Sequence, residues 1–353
     1  MRSKAGFMGM GDFEPLSWFA NGEQGAWYDP RDITTLFQDA AGTIPAQIES
    51  PVGLMLDKSG RGHHASQSVA AKRPTLSARV NMLTNTEGLA TQSVTSLATS
   101  YKLKFTGTGT ITLSGTATGI LSAGATTFTA TAGTLILTVS GLVTLADLRP
   151  TNSGALLPSY QRVNTASDYD LVGFPLYLKC NGTSSSMSTN NIDFTATDKM
   201  TVVTGLRKLS DATTQLLLET GIYANLRGFN VHTPFPAQAL YSTYAMGSTQ
   251  GNVTTPASYP SPISNVLTCL YNIGNIAPNE IVLKVNGSNS GSQTGSMGSG
   301  NYFNYPLYLF SRTNSTYFFN GQFYGAIIRG AFTDSNSVIE AETYMSKKTW
   351  ITF

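Results

Sequence analysis

Apolar and polar residues alternate over many short stretches of this chain, and a period of two predicts β-strands. Residues 281–285 alternate up to Asn286-Gly287, a pair that accepts positive φ at both central positions of a two-residue hairpin turn. Residues 200–206 and 216–218 are apolar or nearly so without a break, which is typical of strands with both faces buried. The pattern therefore predicts an all-β protein.

The C-terminal stretch 318–353 predicts a second hairpin followed by one short helix. Tyr317 and Phe319 alternate up to Asn320-Gly321 and the alternation resumes after that pair, so we expect a tight turn there. The helix has candidate caps in Asp334 and Ser335, a predicted packed face of Val338, Ala341, Glu342 and Met345, and cations at Lys347 and Lys348, near the negative end of its dipole. A sheet protein is thus expected to be closed by one helix.

Residues 80–167 have a character of their own. Residues 101–105 alternate, Gly107 and Gly109 indicate a bulge or bend, and the same phase resumes at 111–113. Further short strands with glycine-containing turns are predicted up to 139. We interpret this stretch as a small β-sandwich inserted into a surface loop of a larger domain, because insertions are best tolerated in such loops.

The flanking sequence resembles concanavalin A-like lectin/glucanase domains, also called laminin G-like sandwiches. The motifs that carry the resemblance are Trp27-Tyr28-Asp29-Pro30 with Asp32, the turn Asp57-Lys58-Ser59-Gly60-Arg61-Gly62, Arg73-Pro74, the delayed strand 176–182, and the closing strand and helix. The resemblance implies a concanavalin A-like jelly-roll sandwich made of 25–79 and 168–353, interrupted by the module at 80–167. Residues 1–24 would form an N-terminal arm.

Composition narrows the classes of partner. Only 12% of residues are charged and the net charge is +2 without a basic run, so nucleic acid and anionic membranes are poor partners. The sequence shows no apolar stretch long enough to span a bilayer and no evident secretory signal. Cys180 and Cys269 each lie in an apolar, strand-like run, so we expect buried free thiols, with a bridge between them as the alternative.

Catalytic chemistry finds little support in the sequence. Glucanases of the resembled fold carry paired carboxylates on one strand, and here Glu340 and Glu342 lie on the final helix instead. His63 and His64 fall in the Asp57 turn, where a structural role is expected. We therefore expect no enzymatic activity, with a polysaccharide hydrolase as the alternative.

No cofactor is expected, although this fold sometimes binds calcium. Asp29, Asp32 and Asp57 are the candidate oxygen donors. The simpler interpretation is that these aspartates cap backbone N–H groups in turns.

Tyrosines at two polar loops suggest a recognition surface. The loops span residues 232–265 and 287–301, and the tyrosines in or beside them are Tyr241, Tyr244, Tyr259, Tyr302 and Tyr305. Tyr among Ser, Gly and Asn is typical of adaptable binding surfaces, and aromatic rings stack on sugar faces. A glycan or partner site is one interpretation, and ordinary strand positions are the other.

The predicted N-terminal arm contains Phe13, Leu16, Trp18 and Phe19, which are costly to leave in water. Either they pack on the chain's own domain or they anchor it to a larger assembly. The whole arrangement is similar to virion proteins of tailed bacteriophages. That resemblance implies a non-enzymatic structural protein on the outside of the particle, as head decoration, fibre or tail-associated adhesin, that binds host surface glycans. It also implies assembly in the host cytoplasm, other virion proteins as partners and a homo-oligomer such as a trimer. A scaffold without a ligand is the remaining alternative.

Overall fold

The computed structural model describes residues 13–78, 81–151, 160–165, 176–221, 227–349 and 351. Residues 1–12 of the predicted arm and the predicted domain boundaries at 79/80 and 167/168 lie outside these residues. Among the described helices, none has the length and apolar character that a membrane span requires.

The described elements are strands, three short 3₁₀ helices and one α-helix. The 3₁₀ helices are Pro15–Phe19, Ile33–Thr35 and Ala70–Lys72. In chain order the first strands are β1 (Gly25–Tyr28), β2 (Leu36–Phe37), β3 (Leu54–Met55), β4 (Ala65–Ser66), β5 (Thr75–Ser77), β6 (Gln92–Ser96), β7 (Thr99–Gly115), β8 (Gly119–Ala130), β9 (Gly133–Ser140), β10 (Val143–Pro150), β11 (Tyr177–Asn181) and β12 (Met187–Asp193). They are followed by β13 (Lys199–Lys208), β14 (Leu216–Thr220), β15 (Phe229–His232), β16 (Ser242–Met246), β17 (Gln250–Thr254), β18 (Ile263–Asn272), β19 (Ile281–Val285), β20 (Ser288–Asn289), β21 (Gln293–Thr294), β22 (Asn304–Leu309), β23 (Asn320–Arg329) and the helix α1 (Ser335–Thr349).

The chain forms two compact units. Unit 1 comprises Met1–Ala46, Pro51–Thr75 and Tyr177–Phe353, and unit 2 comprises Gln47–Ser50 and Leu76–Leu176. Unit 1 is thus assembled from sequence on both sides of unit 2. The exact domain boundaries expected from the sequence, at 79/80 and 167/168, stay a prediction.

The first sheet of unit 1 is centred on β23. Its strands follow the order β20-β19-β18-β13-β23-β11, and β1 pairs with the C-terminal half of β23, on the side opposite β13. β13 and β18 pair antiparallel over their full length. β19 and β20 are joined by Asn286-Gly287, both with positive φ, which confirms the predicted hairpin.

The second sheet has the order β2-β3-β4-β12-β22-β14-β15-β16-β17-β21. It packs face to face on the first sheet through aromatic contacts. Phe229 of β15 lies 5.4 Å from Tyr271 of β18, and Phe310 after β22 lies 5.1 Å from Phe323 of β23, between ring centroids. Two antiparallel sheets with a buried apolar layer between them confirm the predicted jelly-roll sandwich.

Helix α1 covers the outer face of the first sheet, where it packs against β13, β18 and β23. Asp334 Oδ1 accepts the N–H groups of Asn336 and Ser337 at 3.0 and 3.1 Å, which confirms the predicted cap. The predicted face is buried: Val338, Ala341, Glu342 and Met345. Val338 and the other apolar members need this cover, whereas Glu342 pairs with Lys284 of β19 at 2.8 Å.

Unit 2 is a five-stranded antiparallel sheet in which the long strand β7 pairs with β8, β9 and β10. Its register shifts between Phe105 and Thr110, and Gly107 has a φ of +113°, so the predicted bulge is present. Tyr101, Leu103 and Phe105 before the bulge share one buried cluster with residues beyond it. The bend therefore lets one sheet enclose a core from two directions.

The predicted hairpin at Asn320-Gly321 is wrong. Both residues begin β23, which runs without a turn to Arg329 and pairs with β11 and β13. Gly321 is required for a different reason: a Cβ there would collide with the Phe319 ring and the Arg207 carbonyl. Close packing, and not turn geometry, explains this glycine.

The two cysteines are free and buried, as predicted. Cys180 lies on β11 and Cys269 on β18. Burial raises the pKa of both thiols, that of Cys269 to about 11. Both side chains therefore act as small apolar groups of the core.

Candidate functional site

The register of the second sheet aligns a row of polar side chains across its strands. Residues directly opposite each other on paired strands face the same side of a sheet. The row runs Ser66, Ser188, Tyr308, Glu219, Asn230, Tyr244, Asn252 and Thr294. The residues that adjoin this row along their strands face the sandwich interior, namely Leu309, Leu218, Val231, Thr243 and Val253. Their direction follows from Thr243, whose Oγ1 lies 2.5 Å from Tyr271 Oη of the first sheet. The polar row therefore lies on the outer face.

A depression of about 320 Å³ opens at the middle of this row. Its lining combines two row residues, two further strand residues and the surrounding loops: Thr214, Asn230, His232, Phe235, Tyr244, Gln250, Arg312 and Tyr317. The strands β15, β16 and β17 supply the floor, and the segments before β14, after β15 and after β22 supply the rim.

Four aromatic side chains of the depression pack on one another. The His232 ring centroid lies 4.9 Å from Phe235, 5.7 Å from Tyr244 and 6.4 Å from Tyr317, and Phe235 lies 5.4 Å from Tyr244. Three of the four contacts are edge-to-face, which holds each ring in a defined orientation. Tyr244 is half-buried and Tyr317 is 42% exposed. The depression thus presents ordered apolar ring surface to solvent.

His232 is neutral over most of the pH range. Its burial, together with the positive charge of Arg312, lowers its pKa to about 4, against a smaller opposing effect of its bond to the Gln215 carbonyl. That carbonyl can only accept, so His232 Nδ1, 3.2 Å away, donates to it. Nε2 is consequently the acceptor nitrogen of the ring.

The polar groups at the depression are amides and hydroxyls. Asn230 Oδ1 accepts the Tyr244 N–H at 3.2 Å, which leaves the donor end of this amide for another partner. Gln250 is exposed at the start of β17, and Thr214 is half-buried on the rim. Neutral donors and acceptors beside aromatic rings suit a ligand that alternates C–H faces with hydroxyl groups.

Of the five tyrosines predicted to bind a ligand, only Tyr244 lines the depression. Tyr241 and Tyr302 are 0% and 1% exposed, so the expectation that they offer a ring face is corrected. Tyr241 Oη instead donates to Asn265 Oδ1 at 2.8 Å. Tyr259 packs on Tyr241, and Tyr305 lies on β22 beside Phe303. Both are half-buried and lie outside the depression.

The aromatic residues of the predicted arm belong mainly to the core of unit 1. Trp18 and Phe19 are buried in a cluster with Trp27, Val203 and Met345, and Phe13 packs against that cluster. Trp18 and Phe19 are therefore covered by the chain's own domain and Phe13 is half-buried against it, so the alternative of packing on that domain fits these residues and their proposed anchor role is corrected. Leu16 is 48% exposed and stays a candidate.

The three aspartates considered for calcium are engaged by the chain itself. Asp57 accepts the N–H groups of Trp27, Ser59 and His63. Asp29 and Asp32 form ion pairs with Lys348 at 2.6 Å and Lys58 at 2.7 Å. The Asp57 bonds match the interpretation of a turn cap, and Asp29 Oδ1 also accepts the Arg31 N–H, whereas Asp32 makes no such cap bond at the helix that it precedes. No group of three or more metal-ligating residues occurs in the described part of the chain. His63 and His64 belong to the same turn, where His64 Nδ1 accepts the Asp57 N–H at 3.0 Å.

Sequence reasoning missed His232, Phe235, Arg312 and Tyr317. The loop 232–265 had been recognised for its composition, so the first two carried a usable signal. Arg312 and Tyr317 reach the depression from the segment after β22, and only the pairing of β22 with β14 brings them there.

Comparison with known proteins adds three distant structural likenesses. No protein-family model and no curated protein matches the chain. A native heptameric SAP-like pentraxin from Limulus polyphemus is similar at 8% identity and TM-score 0.36, with 45% of this chain and 78% of that chain covered. The CBM40 of the Ruminococcus gnavus IT-sialidase bound to α2,3-sialyllactose is similar at 14% identity and TM-score 0.34, with 47% and 98% covered. The botulinum neurotoxin serotype G binding domain is similar at 9% identity and TM-score 0.36, with 49% and 43% covered. The site described above rests on this chain's own residues.

Proposed function

We propose that unit 1 is a non-catalytic carbohydrate-binding body whose sugar site is the depression on the outer face of the second sheet. The observation that carries this proposal is the ordered group of His232, Phe235, Tyr244 and Tyr317 beside the amides of Asn230 and Gln250. Sugars offer C–H faces that stack on such rings and hydroxyls that bond to such amides.

The geometry favours binding over turnover. Hydrolysis of a glycosidic bond needs two carboxyl groups flanking the bond. None of the residues lining the depression carries a carboxyl group, and the nearby Glu219 is 1% exposed and paired with Arg312. Glu340 and Glu342 lie on α1, which covers the first sheet and not the second.

A glycan array with the full chain tests the site. We expect wild-type protein to bind a subset of glycans and both Tyr244→Ala and Tyr317→Ala to weaken binding by about 2- to 13-fold, since a packed aromatic ring contributes about 0.5–1.5 kcal/mol. Tyr305→Ala is the matched control, a half-buried tyrosine of the same sheet outside the depression. No binding to any glycan would favour a scaffold without a ligand, and release of sugar from a bound glycan would favour a hydrolase.

For the biological setting, we propose that the chain is an external structural protein of a tailed-phage particle, assembled in the host cytoplasm beside other virion proteins as a homo-oligomer. The resemblance of the sequence motifs supports this proposal. Leu16, an exposed apolar residue of the N-terminal segment, is its remaining anchor candidate. Antibody labelling of purified particles tests the location. Exclusive recovery of the chain from unassembled lysate protein would contradict it.

A further inference from the structure

The depression contains a single charged lining residue, and that charge is already compensated. Arg312 Nε lies 3.0 Å from Glu219 Oε2, and the two side chains are 17% and 1% exposed. Glu219 belongs to the polar row, between Tyr308 and Asn230, so its carboxylate lies directly beside the depression. The pair has no net charge.

The guanidinium is also held on its flat face. Arg312 Cζ lies 4.9 Å from the centroid of the Tyr317 ring. A free arginine fork recognises carboxylates through two parallel N–H bonds. In Arg312, the Nε edge of the guanidinium bonds to Glu219 and its flat face lies against the Tyr317 ring. The guanidinium therefore acts as a positioning group for that ring.

The remaining lining groups add no positive charge. His232 is uncharged because burial and Arg312 disfavour its protonation, and Thr214, Asn230, Gln250, Phe235, Tyr244 and Tyr317 are neutral side chains. A ligand carboxylate entering the depression would meet no unpaired cation and would lie near the Glu219 carboxylate. Displacing Glu219 from Arg312 would leave a buried charge without its partner, which is strongly unfavourable.

We propose that this site selects neutral sugars against sugars that carry a carboxylate, and that Glu219 is the residue that sets this selection. The inference rests on the proposed sugar-binding function and adds the ligand class. It depends on the ion pair being present, since an Arg312 without Glu219 would favour the opposite class of ligand.

Two oligosaccharides that differ only by replacement of one hexose with the corresponding uronic acid provide the test. We expect wild-type protein to bind the neutral form at least about tenfold more tightly. Glu219→Gln keeps an amide oxygen for Arg312 and removes the negative charge, so the preference should shift at least about tenfold toward the acidic form. Glu280→Gln is the matched control, since Glu280 is a buried glutamate of unit 1 outside the depression.

Each outcome decides a separate point. Equal or tighter binding of the acidic form by wild-type protein would overturn the selection, and an unchanged preference in Glu219→Gln would overturn the role of Glu219. If Glu219→Gln fails to fold, the salt dependence of wild-type binding to the acidic form replaces it: that affinity should not fall as the ionic strength rises, and a fall with salt would reveal attraction to an unpaired cation. If neither oligosaccharide binds to wild-type protein, and the Tyr244→Ala protein binds nothing either, the proposed sugar-binding function itself is contradicted.

Discussion

Lys348 Nζ of the last turn of α1 lies 2.6 Å from Asp29 Oδ2, immediately after β1, and the two side chains are 6% and 9% exposed. Burial lowers the pKa of Lys348, and the Asp29 carboxylate offsets part of that shift. The sequence indicated a helix-dipole role for this lysine and, for this aspartate, a turn cap with calcium binding as the alternative. Their ion pair instead ties the two ends of unit 1 together.

Breaking this pair from one side should destabilise the protein. Lys348→Met leaves the buried Asp29 carboxylate without its cation, with the Tyr344 hydroxyl and the Arg31 N–H as its remaining donors, which costs about 3 kcal/mol. Lys347→Met removes an exposed lysine one residue earlier and should change the free energy of unfolding by less than about 0.5 kcal/mol. Urea unfolding monitored by circular dichroism measures both. Equal effects of the two variants would contradict a stabilising role of the pair.

Stability should depend on pH through His232. Its pKa is about 4 in the folded protein, below the ordinary value of 6.5, so the unfolded chain binds the proton more tightly. The contribution is fully present above pH 6.5 and is lost as the pH falls toward 4, with a total of about 3 kcal/mol. Unfolding free energies of wild-type and His232→Asn protein across this range give the measurement.

A slope that persists unchanged in His232→Asn would show that other groups produce it.

Gly205 of β13 lies under α1, where a side chain does not fit. A Cβ there would come 2.6 Å from Thr349 Cγ2 and 2.9 Å from Met345 Sδ. Gly205→Ala should therefore displace the last turns of α1 and cost about 1–3 kcal/mol. The double variant Gly205→Ala with Met345→Ala should cost less than the sum of the two single variants, because the same space is involved.

Gly88→Ala is the steric control, since a Cβ at Gly88 meets nothing within 4 Å. Thermal unfolding of the wild-type protein, the two single variants and the double variant measures the coupling between positions 205 and 345. Strict additivity of the two changes would exclude a clash with Met345.

Local signals predicted much of the fold. The Asn286-Gly287 turn, the Asp334 cap and the buried runs of β13 and β14 depend on the conformational preferences of a few neighbouring residues, so the sequence was sufficient. Asn320-Gly321 carries the same turn signal and lies in a strand instead. There the pairing of β23 with β11 and β13 outweighed the local preference.

The candidate site was accessible to sequence reasoning only in part. Tyr244 was predicted, whereas Tyr241, with the same composition around it, points into the protein. The two differ by an odd number of positions, and which face is buried depends on register, where a shift of one residue exchanges all side chains between faces.

The sequence by itself determined that this chain forms short antiparallel strands, one capped C-terminal helix and free buried thiols, because each of these follows from local periodicity, turn chemistry or apolar surroundings. Only the tertiary structure decided which rings reach solvent and that Arg312 is paired with Glu219. Those facts depend on the lateral order β22-β14-β15-β16, which brings together segments that lie far apart in the chain. Such an order cannot be recognised from the residues of any one strand and its neighbours in sequence.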